Sequence, residues 1–271
     1  MNDAVRPRVT EDDVRAYERD GVVCIRKVLN TEWVDRLRNA IDRIEKNPGP
    51  FTERYSPQDP GMFLSEKFMW TFDPDFRAYA FESPAAGVVG RIMRATKINL
   101  FYDHLMVKDP GAVTPTPWHQ DMNYWPAEGR QVASMWLALD DVDGTNGGLE
   151  FVAGSHISGH RYQPFDFRGT GAVETDEFEK LPDVESHRDD FNILSWDMKA
   201  GDAVMFSALT LHGARGNTTS ERRRRALSVR FTGDDARFIQ RKKMIRLLRD
   251  PGLKPGDKLD CDLFPVVWRA A

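Results

Sequence analysis

His119 and Asp121 stand two residues apart in Pro117-Trp118-His119-Gln120-Asp121. On a β-strand, residues i and i+2 point to one face, so an imidazole nitrogen and a carboxylate oxygen there converge on one point. Two ligands hold a metal poorly, and a third must come from elsewhere. The candidate is His212, in Leu209-Thr210-Leu211-His212-Gly213. Two histidines and one carboxylate on one side of a metal make the facial triad of non-haem Fe(II) chemistry, with the other side open to substrate and O2. The triplet alone is weak, because His-x-Asp occurs by chance in many proteins. Its weight comes from the distant His-Gly and from Arg222-Arg223-Arg224-Arg225, which opens a strand beyond it. Zinc also accepts three protein ligands plus water. A zinc hydrolase or a cupin-type isomerase is therefore the alternative reading, and a non-catalytic binding protein a second one. The other histidines are weaker ligand candidates. His104 sits in an apolar strand and reads as a core or pocket residue, and His156 and His160 lie in a polar loop.

The rest of the chain must supply a frame for these groups. It has 271 residues, 41% hydrophobic and 11% aromatic, enough for a packed core. A net charge of −4 leaves no electrostatic footprint for nucleic acid. Cys24 and Cys261 make no disulfide framework and read as reduced thiols. The first residues lack the apolar centre of a signal peptide, and no apolar run has the length of a membrane span. These features predict a cytoplasmic protein with neither nucleic acid nor membrane as partner. They do not set an oligomeric state.

The period of the apolar residues changes near residue 97. Before it, Thr10 caps a helix that Asp20-Gly21 stops, Val22 to Ile25 reads as a short strand, and Thr31 caps a longer helix. That helix has Val34, Leu37, Ile41 and Ile44 on its buried stripe. Residues 51–80 read as an irregular aromatic-rich stretch, and Pro84 opens another helix. From Ile98 the alternation has a period of two. Strands are predicted from 98 to 107, at Val132 to Leu139, at Leu149 to Val152 as the hairpin partner of that strand, at Ala203 to Phe206 and at Arg224 to Phe231. Residues 161–195 are polar and long for a connection, which predicts a lid or a surface insertion. Arg241 to Arg249 reads as a basic, helix-like tail. The fold expected is mainly β with flanking helices, around a β-sandwich or jelly roll. One domain accounts for the whole chain, 1–271. A helical layer at about 10–95 packs on a core at about 97–235, followed by a C-terminal extension, 236–271.

Taken as a set, these residues resemble the phytanoyl-CoA dioxygenase family. The likeness is carried by Pro115-Thr116-Pro117-Trp118-His119-Gln120-Asp121 with Tyr124-Trp125-Pro126, and by Asn146-Gly147-Gly148-Leu149 leading to Gly154-Ser155-His156. Gly201-Asp202, His212-Gly213 and Arg224-Arg225-Ala226-Leu227-Ser228 follow in the same order. The resemblance implies a double-stranded β-helix (cupin-like jelly roll), with Fe(II), 2-oxoglutarate and O2 as cofactor and cosubstrates. The activity it implies is hydroxylation of a small-molecule substrate, a metabolite, with release of succinate and CO2. It assigns His119, Asp121 and His212 to iron, and an arginine at the start of the next strand to the C5 carboxylate of 2-oxoglutarate. Matching Arg-x-Ala-x-Ser points to Arg224, which shares a face with Ala226 and Ser228; Arg223 and Arg225 belong to the other parity. The resemblance also implies that Trp136, Leu105 and Lys67 line the cosubstrate. Halogenases similar to this family carry a small residue in place of the carboxylate, so Asp121 implies oxygen transfer.

Overall fold

The structure, a computed structural model, describes residues 7–166, 171–172, 177–241 and 244–270. Thr10 starts α1 (Glu11–Asp20) with a reciprocal cap. Its hydroxyl accepts the Asp13 N–H, and its own N–H donates to the Asp13 carboxylate at 2.8 Å. Gly21, at φ 77°, ends the helix, and β1 (Val22–Ile25) follows. α2 (Thr31–Lys46) buries Val34, Leu37, Ile41 and Ile44, as their spacing predicts. Its cap is Asn30 rather than Thr31, because the Asn30 side chain accepts the Trp33 N–H at 3.0 Å.

Residues 51–80 are more ordered than their prolines imply. They form β2 (Glu53–Tyr55), β3 (Phe63–Lys67) and α3 (Pro74–Glu82). Asp73-Pro74 is a helix start: Asp73 accepts the N–H groups of Asp75 and Phe76, and proline suits the first helical position. β3 exists because it pairs with a long strand far along the chain. α4 (Ala85–Ile92) completes the helices, and among the described residues none is long and apolar enough to cross a membrane.

The strands that follow are β4 (Lys97–Lys108), β5 (Thr116–His119), β6 (Ala127–Glu128), β7 (Val132–Ala138) and β8 (Leu149–Val152). Next come β9 (Phe165–Asp166), β10 (Gly171–Ala172), β11 (Ile193–Leu194) and β12 (Ala203–Ser207). The last are β13 (His212–Ala214), β14 (Arg224–Thr232), β15 (Arg237–Phe238) and β16 (Val266–Arg269). An eight-stranded sheet has the order β1-β12-β7-β14-β4-β3-β2, with β16 on β4; a four-stranded sheet has the order β11-β8-β13-β5. Two sheets facing one another with the chain crossing between them make the jelly roll.

The crossing corrects one expectation. β8 is not the hairpin partner of β7: β7 pairs with β12 and β14, and β8 with β13 and β11. The turn residues at 143–148 reverse the chain, but local turn chemistry does not decide which sheet receives the next strand. The tail is a second correction. Among the described residues from Arg241 to Arg249 there is no helix. Ile245, Leu247 and Leu248 pack instead against a cluster with Trp125 and Phe264. Within 161–195, residues 167–170 and 173–176 lie outside the described residues, and so does the part of the lid expectation that falls on them. The described flanks pack on the small sheet, with β11 on β8 and buried Val184 against Trp118, Val152 and Leu211.

Parity sorts the large sheet into two faces. Leu105, Val107, Leu227, Val229 and Phe231 join the helices in the main core. Trp136, Ala226 and Phe206 turn the other way, toward Phe151 of the small sheet. Each large apolar side chain so buried contributes about 1.5–3 kcal/mol. That burial fixes which face of β14 looks into the space between the sheets.

Candidate active site

His119 closes β5 and His212 opens β13, and the two are register partners across the small sheet. Asp121 is not itself a strand residue but the first residue of a 3₁₀ turn, Asp121–Tyr124. Gln120 between them stays extended (φ −110°, ψ 128°), so the alternation carries through and Asp121 shares the side of His119. The Gln120 amide turns away and donates to the Leu209 carbonyl at 2.9 Å and the His160 carbonyl at 3.1 Å. One ligand atom from each of His119, Asp121 and His212 lies within 4.8 Å of the others, and all three residues are buried. Among the described residues no other trio of His, Cys, Asp or Glu is so placed. His156 faces the Glu18 carbonyl and His160 faces Glu179, both away from this point.

The protonation states suit a metal. His119 Nδ1 donates to the Pro117 carbonyl at 2.8 Å, and His212 Nδ1 donates to the Thr210 carbonyl at 3.0 Å. A carbonyl only accepts, so both rings carry the proton on Nδ1 and the lone pair on Nε2. Burial, followed by the nearby His212, lowers the His119 pKa to about 3. Burial also lowers that of His212. Burial alone raises an acid, yet Asp121 is held below its ordinary value, because Arg230, the two histidines and the Ser134 hydroxyl outweigh it. The set is neutral, neutral and anionic at neutral pH without a proton having to leave.

Four arginines in a row meet four different fates. Arg222 pairs with Asp143, Arg223 with Glu45 and Asp109, and Arg225 with Asp140 at 2.7 Å. Arg224 is 2% exposed and makes no ion pair with any described carboxylate. Its Nη1 donates to the Met106 carbonyl at 3.0 Å, its Nε has no partner, and its guanidinium lies 5.5 Å from the centre of the Trp136 ring. Burial lowers its pKa to about 10, which leaves it charged at neutral pH. Gly147, at φ +98°, makes room for it: a Cβ there would stand 3.2 Å from Nε and Nη2.

Trp136 falls in one row of the large sheet with Ser228, His104 and Lys67, all on the face of Arg224. Lys67 joins this row with its Nζ on Glu53 at 2.8 Å. Leu105 does not join it. It pairs with Leu227 and packs in the core under the helices, on the opposite face from Arg224, which corrects its expected place beside the cosubstrate. Being one residue off in parity moves a strand side chain to the other side of the sheet.

Ser134 was not singled out from the sequence, and Arg230 was not placed on this face. Ser134 donates to Asp121 Oδ2 at 2.8 Å and orients the carboxylate. Arg230 lies beside Asp121. Ser228 Oγ and His104 Nδ1 are buried without partners. Period-two counting from Trp136 and Arg224 reaches Ser134, Ser228 and Arg230, so the signal was present. Orphaned polar atoms along one face, running from the cluster of two histidines and a carboxylate to a buried guanidinium, fit a bound metal and an elongated dicarboxylate.

A family model described as phytanoyl-CoA dioxygenase matches residues 17–226. The chain belongs to the phytanoyl-CoA dioxygenase family. This family comprises Fe(II)- and 2-oxoglutarate-dependent dioxygenases, and the His-Asp-His trio matches that chemistry. A probable phytanoyl-CoA dioxygenase of Caenorhabditis elegans is 24% identical over 241 residues, covering 82% of this chain and 74% of that protein. An ectoine dioxygenase of Streptomyces coelicolor is 25% identical over 231 residues, covering 78% and 74%. Among solved structures, the carbocyclase SnoK from nogalamycin biosynthesis superposes with TM-score 0.77 at 22% identity over 99% of this chain and 100% of that one. The epimerase SnoN, solved with Fe3+, alpha-ketoglutarate and a nogalamycin, gives 0.74 at 21% identity over 95% and 98%. These likenesses establish the jelly-roll fold.

Proposed function

We propose that this member of the family hydroxylates a small metabolite. His119, Asp121 and His212 hold the iron, and Arg224 holds the distal carboxylate of 2-oxoglutarate. When bound, iron with 2-oxoglutarate and O2 supplies the oxidation, releasing succinate and CO2. The protein supplies position. The carbonyls of Pro117 and Thr210 fix the tautomers that present Nε2. Ser134 holds the Asp121 carboxylate. Trp136 and Ala226 wall the path to Arg224, and Lys67 closes the row at its far end.

The observation that carries the reading is the buried, charged and unpaired Arg224 on the face of the His119-Asp121-His212 cluster. A buried cation without a counter-charge costs several kcal/mol. 2-Oxoglutarate supplies that charge, whereas a zinc hydrolase or isomerase leaves Arg224 without a purpose. Anaerobic Fe(II) and 2-oxoglutarate should give a weak visible charge-transfer band, and air should then yield succinate. Iron binding without the band or any 2-oxoglutarate uptake would refute the reading.

The relatives' names point to two substrate types, an acyl-CoA and ectoine. Arg215, Arg222 and Arg230 are the arginines that a CoA phosphate patch would draw on. Arg215 is paired with Glu150, Arg222 with Asp143, and Arg230 is buried in the site. The pairing of Arg215 and Arg222, with the burial of Arg230, favours a compact substrate over a CoA thioester.

A further inference from the structure

β14 carries a second buried guanidinium on the face of Arg224. Arg230 is 5% exposed. Its Nη1 donates to the Ser228 carbonyl at 2.7 Å, and its cation lies 5.0 Å from the centre of the Tyr102 ring and 6.0 Å from that of Trp125. Nη2 comes no nearer than 3.9 Å to Asp121 Oδ2, beyond hydrogen-bond distance, and Nε has no partner. Asp121 is already engaged: Oδ2 accepts from Ser134, and Oδ1 faces His119 Nε2 at 3.7 Å. Arg224 and Arg230 are separated by about 20 Å along the strand, so one carboxylate cannot serve both.

Charge leads to the same place. In the loaded site, Asp121 and the 2-oxoglutarate dianion together fall one negative charge short of the divalent metal and the two guanidiniums. Lys67 has its own partner in Glu53. One positive charge is left over beside the metal position, which a substrate carboxylate would neutralise. The rings of Tyr102 and Trp125 flank the Arg230 guanidinium while its Nε stays unsatisfied.

We propose that Arg230 is a second carboxylate receptor, which takes a carboxylate lying beside the metal position. This rests on the iron-site reading above. Two sources carry that group: the C1 end of 2-oxoglutarate, or a carboxylate of the organic substrate. In both, the guanidinium fork donates to a carboxylate next to Asp121, and the protein selects for an anion at that point.

The test uses the full chain loaded anaerobically with Mn(II), as wild type, Arg230→Met, Arg230→Lys and Arg224→Met. Calorimetric titration with 2-oxoglutarate and 2-oxobutyrate reads the first source, because 2-oxobutyrate keeps the C1 carboxylate and keto group but lacks the distal carboxylate. If Arg230 takes the C1 end, Arg230→Met weakens both at least tenfold, whereas Arg224→Met weakens only 2-oxoglutarate. If it takes a substrate carboxylate, both titrations are unchanged by Arg230→Met. Acetate and benzoate then bind the wild-type complex with metal and 2-oxoglutarate, and fail to bind the variant. Arg230→Lys keeps a cation between the rings and guards against a folding failure; it loses the fork and should fall between wild type and Arg230→Met. The proposal is overturned if the Arg230 variants bind every probe as wild type does, including the case in which wild type takes up no added carboxylate. A wild type that binds neither Mn(II) nor 2-oxoglutarate would instead overturn the iron-site reading.

Discussion

Replacing Arg224 by methionine should move the stability of the free and the 2-oxoglutarate-bound protein in opposite directions. In the free protein Arg224 is 2% exposed, donates one hydrogen bond to the Met106 carbonyl and leaves Nε unpaired. Burial already pulls its pKa to about 10, a direct mark of the desolvation it bears. Exchanging such a charge for an apolar group of similar volume stabilises by roughly 1–4 kcal/mol. Each kcal/mol is worth about 2–4 °C of Tm in a large domain. The Arg224→Met protein without cosubstrate should therefore melt several degrees higher. In the bound protein the same change removes two charge-assisted hydrogen bonds, roughly 1.5–3 kcal/mol each, and leaves a buried carboxylate unpaired. A loss of about 3 kcal/mol weakens binding on the order of 100-fold. At a 2-oxoglutarate concentration of about 100 times the wild-type Kd, wild type gains about 2.7 kcal/mol and the variant only about 0.4. Thermal melts with and without 2-oxoglutarate, in the presence of Mn(II), read both effects. Arg223→Met and Arg225→Met lose ion pairs with Glu45, Asp109 and Asp140, so they should melt lower and keep the full ligand shift. A variant at 224 that melts lower and keeps its shift would refute the argument. So would transfer of the lost shift to position 223 or 225.

The remaining predictions concern the metal, the cradle of Arg224 and the core. His119→Ala, Asp121→Ala and His212→Ala should each abolish turnover and weaken metal binding, read by equilibrium dialysis; wild-type metal affinity in any one removes that residue from the set. Gly147→Ala puts a Cβ 3.2 Å from the Arg224 guanidinium at φ +98°, so it should lower the Tm and raise the Kd for 2-oxoglutarate together. A lowered Tm with unchanged Kd would mean that Gly147 serves only the turn. Asp103 is buried under the helices, where burial raises its carboxyl from 3.8 to about 7. Between those values the folded state keeps a proton that the unfolded chain has lost. Stability should therefore fall as pH rises through that window, by about 4 kcal/mol in full. Asp103→Asn should flatten that slope in urea melts taken from about pH 4 to about pH 8, and an unchanged slope would contradict the assignment.

The His119-Asp121-His212 cluster was legible in the sequence because its information is local. His-x-Asp needs only an extended Gln120 to face one way, and His212 needs only to be the histidine that follows a strand and precedes a glycine. The inward parity of Arg224 was legible for the same reason: small Ala226 and Ser228 alternate with bulky Leu227, Val229 and Phe231. What the sequence did not decide is which strand lies beside which. The resemblance implied a lining place for Leu105, but its partners, Leu227 and the helices, come from distant parts of the chain and put it on the far face. β8 looked like the partner of β7 because the turn between them is strong, yet strand pairing is settled by which sheet has an open edge. The isolation of Arg224 among four arginines is likewise a tertiary fact. Its neighbours meet Glu45, Asp109, Asp140 and Asp143 from other elements, and only the folded chain leaves this one buried without a carboxylate. Periodicity sets the face a side chain takes within its own strand; the partners that neutralise it or leave it charged come from segments brought near by folding.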